Sequence, residues 1–193
     1  MKTSKLIVAL FMAAFVVGCS DDDNDLPEPV NQEEVITTMN VTLTPSSGDV
    51  VTFKSYDSDG DGPNEPIITI NGPLKANTSY DGEVQLLNES DGSAKNTTEE
   101  IMEEADEHQF FYAHTGIDAN FTYADTEASY PPLKGSNPVG IKFNLQTGEA
   151  GSGTISITLI HEPEKNADGV SGGDITNAAG ETDFTATFPV EIQ

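Results

Sequence analysis

Apolar and polar residues alternate with a period of two along much of the chain after residue 34. Val139, Ile141, Phe143 and Leu145 share one parity, with Lys142, Asn144 and Gln146 on the other. Ile155, Ile157 and Leu159 alternate with Thr154, Ser156 and Thr158, and Phe184, Ala186, Phe188, Val190 and Ile192 alternate with Thr185, Thr187 and Glu191. Val35, Met39, Val41 and Leu43 begin the series, and residues 50–56, 67–71, 80–87 and 121–123 give shorter runs. A period of two belongs to strands with one face buried and one wet. Clusters of Gly, Asn and Pro separate the runs, and residues 147–153 read as a hairpin connection. About seven to nine short strands in one domain predict an all-β fold, a single, mainly antiparallel β-sandwich of immunoglobulin-like type.

Two segments depart from this pattern. Residues 97–108 read as one short acidic helix, with Thr97 and Glu100 placed for a capping box and with Ile101, Ala105 and His108 on one face. Its acids sit badly. Glu103, Glu104, Asp106 and Glu107 fall in late turns where the backbone dipole favours cations. The pairs Glu99/Glu103, Glu100/Glu104 and Glu103/Glu107 each cost about 0.2–0.5 kcal/mol in an isolated helix. A bound cation would offset that repulsion, and so would a salt-adapted solvated face. The second segment, residues 161–182, has no periodicity, and a loop of that length inside a domain is usually functional or disordered.

The first residues carry a different signal. Lys2 and Lys5 precede an apolar run, residues 6–17, that is short for a membrane span and ends at Gly18-Cys19. Residues 1–18 read as a secretory signal peptide. The Gly-Cys end resembles a bacterial lipobox, which implies that Cys19, the single cysteine, becomes the acylated first residue. Ser20 and the acids after it resemble the surface-export signal of Bacteroidota-type lipoproteins, so residues 19–34 are expected to form a flexible acidic tether and residues 35–193 the folded domain. The expected location is the outer membrane, held by lipid, on the cell surface or its periplasmic face.

The 193 residues hold 33 Asp and Glu against 8 Lys and no Arg, for a net charge of -25. Nucleic acid as a partner is excluded on this ground, because phosphate contacts need cationic side chains. Cations are the natural counterpart. Asp57, Asp59 and Asp61 stand at alternate positions before Gly62, with Glu65 close behind. The spacing resembles the first half of an EF-hand loop and makes calcium the expected cofactor, although Ile68 stands where the closing Glu belongs. The flanks read as strands, and an acidic β-turn is the plainer reading.

The three histidines are His108, His114 and His161. His161 has the parity of the buried positions before it, so it reads most simply as a core-edge residue. With His108 and Glu162 it also offers the donor types of a transition-metal site. Enzyme motifs are poor. Gly169-Val170-Ser171-Gly172-Gly173 fits G-x-S-x-G, but no strand leads into it and no His follows. The expectation is a protein that is not an enzyme.

Residues 57–62, 86–90, 103–112, 161–163 and 180–183 together resemble a family of small Bacteroidota-type outer-membrane lipoproteins often labelled "type 1 periplasmic binding fold superfamily protein". The resemblance implies a role beside TonB-dependent receptors and transfers no binding residue. The label implies two α/β lobes, whereas the alternation predicts a sandwich. The function expected is a non-enzymatic, lipid-anchored binding protein, accessory to an outer-membrane receptor in the uptake of a metal or metal complex. The alternative is a calcium-stabilised structural or adhesion module.

Overall fold

The computed structural model describes residues 35–58 and 63–193. Cys19 and the rest of residues 1–34 lie outside the described residues, as do Asp59 and Asp61. Ten strands are described: β1 (Thr38–Pro45), β2 (Val51–Tyr56), β3 (Ile67–Ile70), β4 (Ser79–Asn88), β5 (Lys95–Asn96), β6 (His108–Thr115), β7 (Ala119–Tyr123), β8 (Lys142–Thr147), β9 (Gly151–His161) and β10 (Glu181–Ile192). They form two sheets. One runs β3-β2-β1-β4-β8-β7, with β5 on the end of β4, and the other runs β10-β9-β6. All the strand pairs are antiparallel. The fold is an all-β sandwich, with one short α-helix among the described residues, α1 (Thr98–Glu103).

The alternating positions build the core. Val41, Leu43, Phe53, Val84 and Phe143 of the larger sheet, with Ile155, Ile157, Phe188 and Val190 of the smaller, lie in one buried cluster. Phe53 and Phe188 meet between the sheets with ring centroids 5.3 Å apart. At the end of the chain Leu74 accepts from Gln193 N and donates to Glu191 O, both at 2.8 Å, which binds β10 to the segment after β3.

Three expectations need correction. The connection 147–153 is not a hairpin: β8 pairs with β4 and β7, while β9 pairs with β10 and β6, so this turn carries the chain between sheets. The helix stops at Glu103 instead of reaching residue 108, and Thr97 makes no side-chain cap. Thr98 instead turns its hydroxyl to the backbone of Leu86, accepting from N at 2.7 Å. Without the cap, the clustered acids end the helix after six residues, and Lys95 pairs with Glu100 from outside it. The chain then enters β6, a strand that no alternation announced. Its first four residues are all buried, because Phe110 faces the main core while Phe111 packs on a second cluster with Ile160, Val170 and Ala178.

Val170 and Ala178 bring residues 162–180 into that second cluster, and the segment is ordered by short helical turns at Val170–Gly172 and Ile175–Asn177. Gln109 secures them, donating to Val170 O at 2.8 Å and to the Tyr123 hydroxyl at 2.9 Å.

Three tyrosines collect around Asp125. Burial, and then the charge of Asp125, hold the Tyr112 phenol well above its ordinary range. Burial likewise raises Tyr130, which donates to Asp125, and pushes Tyr123 up to about 12. In the unfolded chain each ionises near pH 10. The folded state therefore keeps protons that the unfolded state has lost, and stability falls as pH rises from about 10 to 12. Lys165, whose value is lowered by burial, acts with the opposite sign but is one group against three. Melting temperature is expected to fall steadily across this interval; a flat profile would contradict the placement of the phenols.

A candidate metal centre at the ends of three strands

The smaller sheet brings three separated residues to one end. His108 opens β6, His161 closes β9, and the register sets them directly opposite each other. Their rings stack, with centroids 4.7 Å apart and planes 6° from parallel. β10 begins beside His161, and its register shifts between Thr182 and Phe184, so Asp183 is the extra residue of a bulge. Bulges re-aim side chains in this way. Asp183 has 1% of its side chain exposed and His108 none, and their Oδ2 and Nε2 atoms lie 3.6 Å apart.

The position before β6 orients the first ring. Glu104 caps the C-terminal end of α1, and its carbonyl oxygen accepts from Glu107 N at 2.9 Å. Its carbonyl oxygen is 3.0 Å from His108 Nδ1. A carbonyl can only accept, so Nδ1 carries the hydrogen, and the lone pair of the neutral ring is on Nε2. That is the outer-shell arrangement typical of metal-bound histidine. Nε2 then faces a buried carboxylate, an arrangement that calls for positive charge between them, as a proton or as a metal ion. One ligand atom from each of His108, His161 and Asp183 lies within 4.8 Å of the other two. Two imidazoles and a carboxylate form a donor set for zinc and other borderline divalent metals, with a fourth position left for water or another ligand.

A second trio shares His161. Ligand atoms of Glu107, His161 and Glu162 also lie within 4.8 Å of one another, with both glutamates exposed. Glu107 Oε2 is 3.9 Å from His161 Nε2. The backbone supports this group, since Glu162 N donates to Glu107 O at 2.6 Å. Glu162 itself adopts a left-handed φ of 49°. Gly180 passes so close that a Cβ there would meet the His161 carbonyl oxygen at 2.2 Å, which makes glycine necessary beside the site.

Of the residues expected from sequence, His108 and His161 are thus brought together. Glu162 joins His161 but falls in the group with Glu107, outside the trio of His108. Asp183 is the candidate ligand that sequence reasoning missed. His114 lies apart, exposed at the other end of β6 near Phe121. Asp57 and Glu65 flank the loop of the β2–β3 hairpin, and the central Asp59 and Asp61 are outside the described residues. Ser171 donates its hydroxyl to the Lys165 carbonyl at 2.5 Å.

Lys165 fixes the loop that leaves the site. Its ammonium donates to Ala105 O at 2.6 Å, Glu127 Oε1 at 3.2 Å and Pro138 O at 3.3 Å. Burial pushes its pKa down, and the Glu127 carboxylate opposes that shift. Comparison with known proteins finds no matching family model, no matching curated protein and no matching solved structure.

Proposed function

We propose that this chain is a non-enzymatic binding module, anchored by lipid at Cys19 to the outer membrane and displayed at the cell surface. Its ligand is a transition-metal ion held by His108, His161 and Asp183, and it serves a TonB-dependent receptor in the uptake of a metal or metal complex. The observation that carries the metal reading is the buried pair of stacked histidines facing a carboxylate that a bulge turns inward. The net charge supports it, because a strongly negative surface concentrates cations around the molecule. The anchor and the receptor rest on the Gly18-Cys19 signal and on the family resemblance.

A second reading is a structural or adhesion sandwich stiffened by calcium at Asp57, Asp59, Asp61 and Glu65; it is favoured by the alternate spacing of these acids in the sequence and by the position of Asp57 and Glu65 on either side of the β2–β3 connection. Elemental analysis of protein purified without chelators separates the two. A near-stoichiometric transition metal supports uptake, and calcium alone supports the structural module. Cys19→Ser is expected to move the protein from the membrane to the soluble fraction, since the acyl chains supply the hold that an acidic chain lacks. An unchanged membrane fraction would remove the lipid anchor from the proposal.

A further inference from the structure

Resting on the metal reading above, we infer that Glu107 and Glu162 form an outer capture station. It takes a divalent transition metal from solution and passes it, through His161, to the buried position of His108 and Asp183. His161 belongs to both groups of ligands. Exposure falls along the path: the Glu107 side chain is 47% exposed and that of His161 8%, while His108 and Asp183 are at 0% and 1%. The spacing allows transfer without large motion. Glu107 lies 3.9 Å from the His161 ring, and that ring stacks 4.7 Å from His108.

The chemistry follows the same gradient. A hydrated cation loses water reluctantly, and exposed carboxylates exchange oxygen for oxygen at little cost. Two carboxylates on an already negative surface raise the arrival rate of a cation. Imidazole then replaces oxygen, and the buried carboxylate completes the set in a place where water competes less. The outer acids therefore govern how fast the ion enters and leaves, and the buried residues govern how tightly it stays.

The test uses the full chain with Co2+ alone as probe, its visible absorption reporting ligand exchange in stopped flow. Glu107→Gln combined with Glu162→Gln changes only exposed side chains, so folding is retained. This variant is expected to keep a Kd within about threefold of native while both arrival and release slow by about tenfold or more. Asp183→Asn is expected to lose affinity by about a hundredfold or more with arrival near the native rate. A control with the same loss of charge, Asp81→Asn with Glu149→Gln, alters exposed positions away from the cluster and should leave both rates as they are. Native rates in the double glutamine variant would overturn the capture station. An affinity loss there equal to that of Asp183→Asn would also overturn it, by making the glutamates resting ligands, and so would equal slowing in the control. If the native protein takes up no Co2+, the metal reading itself fails and the inference with it.

Discussion

Replacing Lys165 with methionine is expected to lower stability by about 3–5 kcal/mol, the usual effect of removing one partner of a buried ion pair. The change keeps the aliphatic stem and removes only the ammonium. Lys165 is 4% exposed and Glu127 5%, so the carboxylate left behind has little access to water. The carbonyls of Ala105 and Pro138 lose their donor at the same time. These three acceptors come from the end of α1, the turn at Glu127–Ser129 and the approach to β8, so one side chain ties residues 162–180 to three other places. Urea unfolding should show a lower midpoint at an unchanged slope. Adding Glu127→Gln should recover much of the loss, because it removes the stranded charge. A loss within about 0.5 kcal/mol for the single variant would place Lys165 at an ordinary surface position.

Phe188→Ala is expected to cost a similar amount, about 3–5 kcal/mol. Phe188 has no exposed surface, lies opposite Ile155 across the β10–β9 pair, and reaches the other sheet at Phe53. Truncation removes buried area and leaves a void that two hydrogen-bonded sheets cannot close by small shifts. Phe188→Leu keeps most of the volume and should cost less than about half as much. Equal, small losses in both variants would mean that the sheets do not meet at this ring.

Alternation made β8, β9 and β10 legible, because each has one face on the core and one in water. β6 was hidden because both of its faces are covered at the start, by the core at Phe110 and by residues 162–180 at Phe111, which leaves no polar parity to read. The turn at 147–153 has hairpin composition whether it joins neighbours or crosses between sheets, since turn chemistry fixes the local bend and not the pairing partner. The helix was overestimated at its C-terminal end, where Glu103, Glu104, Asp106 and Glu107 oppose the backbone dipole and the chain from His108 onward is taken up by pairing with β9. At the site, the two histidines could be named as donors, but their direct pairing depends on the β6–β9 register. Asp183 was unreadable for a stricter reason. The inward positions of β10 are Phe184, Ala186 and Phe188, so Asp183 has the parity of the wet face, and only the bulge, a one-residue slip, turns it inward.

In the proposed function, His108, His161 and Asp183 hold a transition metal. A ligand that binds only the folded state stabilises it by about 2.7 kcal/mol at a hundredfold excess over its dissociation constant. For a domain of this size that corresponds to a melting temperature higher by about 5–10 °C. The direct measurement is thermal unfolding of the native chain and of Asp183→Asn in zinc and in magnesium at equal ionic strength, which removes plain screening as a cause. A rise of that size is expected in zinc for the native chain, little in magnesium, and loss of the zinc effect in Asp183→Asn. Equal shifts in the two metals, or a zinc shift that survives in the variant, would contradict the metal reading.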